Sequence, residues 1–389
     1  MFSHRLPPHA ETNRLTQALA ALRARGATIA DLTQSNPTAA AIAYPADLLA
    51  PLGDPRALSY EPHPLGLRRA REAVAADHLR RGVTVDPDQI VLTASTSEAY
   101  TWLFKLLCDP GECVLVPRPS YPLFEHLTRL EGVRAIPYDL EYHGRWEIDL
   151  ASLEHAPADA RAVLVVSPNN PTGSFVSARE VDGLTRFCRE RGCALVADEV
   201  FADYPIEGTN PLTDLAVKSD VLAFTLGGLS KSVGLPQLKL GWMVVGGPAS
   251  ERRGALDALE LVADSFLSVG TPVQAAAAEL LVAAAPVRTA IRQRVMHNLE
   301  AARQAMAAVP ACGLLPVEGG WSAVIRIPAT RSEEQFVLDL LERERILVHP
   351  GYFFDFASEA FVVISLLTRP EVFADALARL LRAAVSGWQ

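Results

Sequence analysis

Residues 162–173 read AVLVVSPNNPTG, five apolar residues followed by a segment of serine, proline, asparagine, threonine and glycine. Five consecutive apolar residues without alternation predict a strand that is buried on both faces. The residues after it favour a turn, because proline fixes φ and asparagine hydrogen-bonds to the nearby backbone. Loops at such strand ends often bind ligands, so Asn170 is a candidate to present its amide to a ligand, although an ordinary turn accounts for the same residues.

Similar apolar runs occur on both sides of this stretch. They cover residues 89–93, 113–116, 194–197, 221–224 and 242–245. Most are separated by segments of helical length, an alternation typical of a mainly parallel sheet covered by helices. In such folds ligands bind at the loops that leave the carboxyl ends of the strands. The sequence therefore predicts an α/β fold with its site at that edge of the sheet.

The two chain ends differ in pattern from this central part. Residues 272–285 are alanine-rich with helical spacing, and residues 319–326 are predicted to contain a strand. We predict a large domain at residues 46–265 and a smaller α+β domain formed by residues 1–45 together with residues 266–389.

Composition and charge narrow the class of protein. The chain has 389 residues and a formal net charge of -9 at pH 7, with 49% hydrophobic and 21% charged residues. These values fit a globular protein of two packed domains. No run of lysine or arginine is dense enough to follow a nucleic acid or an anionic membrane.

The five cysteines form no CxxC pair, which argues against a zinc site and for a reducing compartment. With no apolar leader or membrane span in the sequence, the cytoplasm is the expected location.

A helix start is predicted at Ser95, just after the run at residues 89–93. Ser95 and Glu98 have the spacing of a capping box, and apolar residues recur beyond them at helical spacing. Because the free amides of a helix start attract anions, the hydroxyl groups of Ser95, Thr96 and Ser97 make this a candidate phosphate site. Capping boxes are common, and a purely structural cap explains the same residues.

Two carboxylates and one lysine follow other strands. Asp198 and Glu199 end the run at residues 194–197, where a buried carboxylate needs a cationic partner or a proton. Lys231 follows the run at residues 221–224 and lies among glycine, serine and aliphatic residues. Desolvation makes the amine of such a lysine nucleophilic, as Schiff-base chemistry requires, whereas most lysines are only solvated.

The order of these features resembles that of the fold-type I pyridoxal phosphate-dependent aminotransferases of the class I/II group. The resemblance covers nearly the whole chain, through the Ser-Thr-Ser-Glu helix start, Tyr121, the Asn-Pro-Thr-Gly turn, the Asp-Glu pair and the Ser-Lys pair. It implies a mainly parallel seven-stranded sheet sandwiched by helices, with pyridoxal 5'-phosphate as the cofactor. The implied reaction moves an amino group between an amino acid and a 2-oxo acid through a Schiff base at Lys231.

The same resemblance assigns roles to individual residues. Lys231 and Asp198 are the implied catalytic residues, since the lysine carries the cofactor and the carboxylate keeps the pyridine nitrogen protonated. Asn170 donates to the phenolic oxygen of the cofactor, and Tyr121 and Val200 lie on the two faces of its ring. The implied phosphate ligands are Ser95, Thr96, Ser97, Ser230, Lys239 and, from the partner subunit, Tyr60. A ligand from the partner implies a two-fold homodimer.

Two cofactor positions depart from the family pattern. Phe201 stands where the family has a tyrosine, so one hydrogen bond to the phenolic oxygen is lost. Lys239 stands where the family has an arginine, so a bidentate phosphate contact becomes a point charge. The remaining residues are still able to perform the chemistry.

A third departure affects substrate binding. Val363 stands where the family has an arginine that binds the substrate carboxylate. We expect Arg326, as first candidate, or Arg369 to replace it, unless each belongs to a structural ion pair. Arg326 comes first because alternation puts it on the face of its strand opposite the apolar residues Trp321, Ala323 and Ile325. Asn36 and Asn170 are further candidates to bind substrate.

Other reactions stay open from the sequence alone. The missing arginine also suits a decarboxylase, a β-lyase, a cyclising synthase or an oxidase of the same cofactor class, and the fold does not choose among them. An effector-sensing domain of a transcription regulator is a further alternative. Such regulators carry an added DNA-binding domain, for which the N-terminal part of this chain is too short and insufficiently basic. The expected partners are therefore an amino donor and a 2-oxo acid, not nucleic acid or membrane.

Overall fold

The computed structural model of the chain describes residues 2–6, 12–206, 208–209, 211–217 and 219–386. Its strands, in chain order, are β1 (Ala30–Asp31), β2 (Ile90–Thr93), β3 (Cys113–Arg118), β4 (Arg134–Tyr142), β5 (Trp146–Ile148), β6 (Ala160–Val166), β7 (Ala194–Asp198), β8 (Ala223–Gly228), β9 (Gly241–Gly246), β10 (Gly313–Leu314), β11 (Ser322–Arg326), β12 (Ile346–Leu347), β13 (His349–Pro350) and β14 (Phe361–Ser365). Its α-helices are α1 (Arg14–Ala24), α2 (Arg68–Arg80), α3 (Thr96–Leu107), α4 (Phe124–Glu131), α5 (Ala178–Arg191), α6 (Leu229–Ser232), α7 (Ala249–Asp264), α8 (Thr271–Ala275), α9 (Ala277–Ala283), α10 (Ala285–Ala307), α11 (Glu333–Glu344) and α12 (Pro370–Ser386). Among the helices in these ranges, none is long and apolar enough to cross a membrane.

Eight strands form the large sheet, in the order β2-β9-β8-β7-β6-β3-β4-β5. Strands β4, β3, β6, β7 and β8 run parallel to one another, whereas β9 lies antiparallel between β8 and β2. The predicted α/β class with a mainly parallel sheet is confirmed. The sheet has one strand more than the seven expected, because the short strand β5 pairs antiparallel with β4 and extends the edge.

Helices cover the large sheet on both faces. Val163 and Val165 of β6 pack with Leu184 of α5 on one face. Leu164, which points the opposite way, packs with Trp102 of α3 on the other face. Because each such side chain contributes about 1.5–3 kcal/mol when it is fully buried, continuous apolar strands are stable only inside this sandwich.

The chain ends form smaller sheets. Strands β10, β11, β14 and β13 make a four-stranded antiparallel sheet in that order. Strand β1, near the start of the chain, pairs parallel with β12, near its end. This pairing supports our proposal that residues 1–45 and 266–389 form one domain and residues 46–265 another.

The edge at which the site is expected follows from the sheet order. Strands β6, β7 and β8 are parallel neighbours, so their carboxyl ends, at Val166, Asp198 and Gly228, lie side by side. The segments that contain Asn170, Val200 and Lys231 therefore leave the sheet at one edge.

Candidate active site

The start of α3 is a capped helix end with free amides. Ser95 is the N-cap, and its Oγ accepts a hydrogen bond from the Glu98 amide at 3.2 Å. The Glu98 carboxylate accepts from the Ala94 amide at 2.6 Å, rather than from the amide of Ser95. The amides of Thr96 and Ser97 have no acceptor within the described residues. They are available to an anion, as the sequence predicted for this position.

A close backbone approach brings further predicted phosphate ligands towards this helix start. Gly241 of β9 lies so near that a Cβ built on it would be 3.0 Å from the carbonyl carbon of Ser95. Lys239 is exposed and lies two residues before Gly241. Gly228, which precedes α6 and its Ser230, pairs in register with Gly241. The segments that carry Ser95 and Ser230 therefore both approach the backbone at Gly241, and Lys239 lies just before that point in the chain.

Asp198 is a buried carboxylate with two hydrogen-bond donors. Its Oδ2 accepts from the Tyr100 hydroxyl at 3.0 Å, and its Oδ1 accepts from the Val200 amide at 3.2 Å. Burial raises the pKa of Asp198 to about 6, although both donors and the charge of Lys231 oppose that rise. A cationic group beside this carboxylate would offset the cost of burying its charge.

Glu199 lies next to Asp198 in the chain but does not share its surroundings. Its carboxylate accepts from the amides of Asp214 at 2.5 Å and Leu215 at 2.9 Å. Burial raises the pKa of Glu199, and the charge of Asp214 adds to the rise. Asp198, at the end of β7, therefore faces Lys231, whereas Glu199 fixes the backbone at residues 214 and 215.

Lys231 presents a free amine against two aromatic rings. Its Nζ lies 5.1 Å from the ring centroid of Trp321 and 5.7 Å from that of Phe201. Its carbonyl accepts from the Tyr204 hydroxyl at 2.8 Å, which fixes the backbone. Burial lowers the pKa of Lys231, and the charge of Asp198 opposes this effect. Desolvation of this kind favours the neutral, nucleophilic form of a lysine amine.

The two asparagines of the turn after β6 have different roles. Asn169 is buried, and its Oδ1 accepts from the Ser120 hydroxyl at 2.9 Å, so it holds the loop that carries Tyr121. Asn170 is half-buried, and its Oδ1 accepts from the Ser322 hydroxyl at 3.3 Å. That contact orients the Asn170 amide, and Tyr121 beside this turn is 44% exposed, which leaves its ring accessible to a ligand.

A chain of contacts leads from Asn170 to Asn36. Ser322 pairs in register with Ser365, at one end of β11 and β14. The Ser365 hydroxyl donates to the Gln34 carbonyl at 2.5 Å, two residues before Asn36. The two predicted substrate asparagines therefore lie at the same end of the four-stranded sheet.

The arginine candidates lie elsewhere. Arg326 is exposed at the opposite end of β11, four positions from Ser322, which corresponds to about 13 Å along a strand. Arg369 is exposed before α12 and forms a surface ion pair with Glu371 at 3.9 Å. The structure thus does not place Arg326 beside Asn170, because alternation gave the correct face of the strand but not the position along it.

Val363 is 2% exposed and packs with Val324 and Phe354 in the core. It pairs in register with Val324 and His349. An aliphatic side chain in this setting offers no group to a carboxylate.

Sequence reasoning missed three residues that contact this site: Tyr100, Trp321 and Ser322. Their partners are 98, 90 and 152 positions away in the chain. Tyr100 has the spacing of a core residue of α3, and in the predicted strand at residues 319–326 only Arg326 was given a role. Only a tertiary structure reveals contacts over such separations.

Pyridoxal phosphate requires three kinds of partner: an anion site for its phosphate, a carboxylate for its pyridine nitrogen and a free amine for its aldehyde. The helix start of α3, Asp198 and Lys231 match these requirements, and they lie at the same edge of an α/β sheet. The fold and the site define a pyridoxal phosphate-dependent enzyme of fold type I. The chain belongs to the aminotransferase class I and II family, whose model matches residues 30–380, and members of this family use pyridoxal phosphate.

Individual relatives agree with this family. The chain is 26% identical over 325 residues to the glutamate-pyruvate aminotransferase of Haemophilus influenzae, covering 82% of this chain and 80% of the relative. It is 27% identical over 302 residues to an alanine aminotransferase of Mycobacterium bovis, covering 76% and 70% of the two chains. Among solved structures, an aminotransferase from Escherichia coli matches with a TM-score of 0.86 and 24% identity over 97% of this chain and 95% of that one. An aspartate aminotransferase double mutant of Thermus thermophilus matches with a TM-score of 0.83 and 25% identity over 98% of this chain and 99% of that one. The predicted family, cofactor and activity are confirmed: the chain is a pyridoxal phosphate-dependent aminotransferase.

Proposed function

We propose that Lys231 transfers the substrate proton, and that Asp198 supplies the balancing charge, when this aminotransferase moves an amino group between an amino acid and a 2-oxo acid. One observation supports this most directly: the Lys231 amine has a lowered pKa and makes no hydrogen bond to any described residue. An amine in that state is able to take a proton and return it.

The cofactor, when bound, supplies an electron sink for the electron pair that is left when a substrate Cα–H bond breaks. Lys231 Nζ would take the proton from the substrate Cα and, as an ammonium group, would donate it to the cofactor carbon that is bonded to the substrate nitrogen. Asp198 stays ionised and holds the proton of the ring nitrogen. Trp321 and Phe201 place apolar rings beside the Lys231 amine.

The cofactor-binding residues follow from their positions. We propose that the amides of Thr96 and Ser97, with the side chains of Ser95, Ser230 and Lys239, hold the phosphate. Asn170 holds the phenolic oxygen. Tyr121 and Val200 bind the two faces of the ring.

We propose that alanine, glutamate and their 2-oxo acids are the first substrates to test, because the similar proteins named above are alanine and glutamate-pyruvate aminotransferases. Asn170 and Asn36 are the proposed carboxylate donors. A neutral amide donates hydrogen bonds to a carboxylate without an ion pair, so we expect weaker substrate binding than an arginine would give.

We also propose that the working enzyme is a two-fold homodimer in which Tyr60 of one subunit reaches the phosphate site of the other. Tyr60 is 74% exposed and its neighbour Leu58 is 89% exposed in a single chain. Large apolar groups exposed side by side are typical of a surface that a partner covers. This proposal explains why a predicted phosphate ligand is largely exposed in a single chain.

Borohydride reduction of the loaded enzyme tests the role of Lys231. Reduction should fix the cofactor to the peptide that contains Lys231, as detected by mass spectrometry, and Lys231→Ala should be neither labelled nor active. Lys105→Ala is the matched control, because it removes a surface lysine that forms an ion pair with Glu131 and should leave the label in place. Labelling of Lys231→Ala at another lysine would overturn the assignment.

A further inference from the structure

Tyr100 is the side-chain hydrogen-bond donor to Asp198. Its hydroxyl lies 3.0 Å from Asp198 Oδ2. The second donor, the Val200 amide, belongs to the backbone of the turn that follows Asp198 itself. Tyr100 therefore links α3, whose start forms the proposed phosphate site, to the carboxylate at the end of β7.

The packing around Tyr100 fixes the position of its hydroxyl. The side chain is 3% exposed, and its ring meets Phe124 edge-on at 5.4 Å and 83° and stacks with Phe104 at 6.0 Å and 29°. A ring held on two sides cannot swing its hydroxyl away from Asp198 without disturbing the core. The donor is therefore in place before any ligand binds.

Packing alone does not require this hydroxyl. A phenylalanine would fill the same space, and a hydroxyl group buried without a partner is costly. The Tyr100 hydroxyl has Asp198 as its hydrogen-bond acceptor, so its presence in the core is explained by the carboxylate.

A donor to a carboxylate favours the ionised form over the protonated form. Lys231, from α6, and Tyr121, from the loop after β3, are the other titratable groups that face Asp198. Lys231 favours the charged carboxylate, but its amine is the group that must give up its charge to react. Tyr100 is a neutral donor that stays in place throughout.

We propose that Tyr100 is a positioning residue that keeps Asp198 ionised and aimed at the cofactor's ring nitrogen. The proposal rests on the role of Asp198 proposed above and deepens it. Burial pushes the Asp198 carboxyl towards its protonated form. Without the Tyr100 hydroxyl, Asp198 would retain its proton at higher pH and hold the ring proton less well.

Tyr100→Phe tests this directly, because it removes the hydroxyl and leaves the ring in the core. The measurement is the affinity of the apoenzyme for pyridoxal phosphate, followed by fluorescence at a series of pH values. We expect the pH below which affinity falls to move upward by about one to two pH units, the effect of one hydrogen bond to a charged group. At neutral pH, kcat should fall while KM for the amino acid changes little.

Tyr138→Phe is the matched control. Tyr138 is 2% exposed, and its hydroxyl donates to the Leu164 carbonyl at 2.7 Å rather than to a carboxylate. The same atom is lost from the same kind of core, so stability should fall without a shift in the pH profile. Equal profiles for Tyr100→Phe and the wild type, with both proteins folded, would overturn the proposal.

Asp198→Asn separates this proposal from the one on which it rests. If that variant loses the pH dependence and Tyr100→Phe does not shift it, the role of Asp198 stands and that of Tyr100 fails. If Asp198→Asn binds the cofactor with the wild-type profile and turns over normally, the proposed role of Asp198 itself fails.

Discussion

Asp198 and Glu199 show at the residue scale how backbone geometry separates two identical functional groups. Both follow the same strand and both are buried. Glu199 uses its oxygens on two backbone amides, whereas Asp198 keeps its carboxylate beside Lys231 and Tyr100. The sequence predicted that a carboxylate at this point needs a partner. The residue pattern alone did not reveal which of the two would face the ligand, because that depends on where the strand ends and the turn begins, and only the resemblance assigned that role to Asp198.

Because Asp198 is buried, we expect its ionisation to lower the free energy of unfolding of the apoenzyme. Its pKa is raised from 3.8 to about 6, so the folded state resists ionisation between these values. For an acid with a raised folded pKa, stability falls as pH rises through this window and stays low above it. At 1.36 kcal/mol per pKa unit, the ionised form costs the apoenzyme about 3 kcal/mol at pH 8.

Asp198→Asn should therefore make the apoenzyme more stable by about 2–3 kcal/mol at pH 8, with a smaller gain at pH 5. Urea unfolding at the two pH values measures this. Asp220→Asn, which changes an exposed carboxylate in a surface ion pair, is the control and should have little effect. A loss of stability at pH 8 would show that the hydrogen bonds of Asp198 outweigh its desolvation.

At the element scale, the strands that form the site were predictable, whereas β4 and β5 at one side of the large sheet were not. The apolar runs at residues 162–166 and 194–197 became β6 and β7, because both faces of these strands are covered. Strand β4 is partly exposed and mixes charged with apolar residues, and its parallel pairing with β3 is not encoded in a local pattern. The alanine-rich stretch at residues 272–285 is divided between α8 and α9, and a new helix begins at Ala285 with Pro286 in its first turn.

Strand β11 shows the limit of alternation for the candidate site. The period of two correctly predicted that Arg326 shares a face with Ser322, opposite to Ala323 and Ile325. Which end of that face meets Asn170 depends on how the small sheet lies over the large one. No pattern within β11 contains that information.

This geometry predicts that Arg326→Ala will change KM for α-amino acids by less than about twofold, because the guanidinium is exposed and distant from Asn170. Arg369→Ala should behave in the same way, since it removes a surface ion pair. Asn170→Ala, measured in parallel by steady-state kinetics, should raise KM about tenfold or more through the loss of a hydrogen bond to a charged group. A tenfold increase in KM for either arginine variant would restore that arginine as the carboxylate anchor.

At the scale of the whole molecule, the fold was predictable because the resemblance depends on the order of motifs, which survives at 26% identity. We predicted one domain from the two chain ends because their pattern differs from that of the central part. The pairing of β1 with β12, which joins those ends, was not predicted, because no local pattern encodes it. The exposed Tyr60 belongs to the same scale, because one chain offers it no phosphate to bind. Its proposed role exists only between two copies.

Mixed dimers test whether Tyr60 acts across the subunit boundary. Tyr60→Phe removes a hydrogen bond to a charged group and should weaken cofactor binding by about 10- to 100-fold, so its dimers lose activity when cofactor is limiting. If Tyr60 acts in the partner's site, a dimer of one Tyr60→Phe chain and one Lys231→Ala chain keeps one intact site. Such dimers, isolated with two affinity tags, should recover about half of the wild-type rate. Asp198→Asn paired with Lys231→Ala is the control, because both residues serve the same subunit and no intact site remains. If the Tyr60→Phe pair is as inactive as this control, Tyr60 does not reach the neighbouring site, and its exposure needs another explanation.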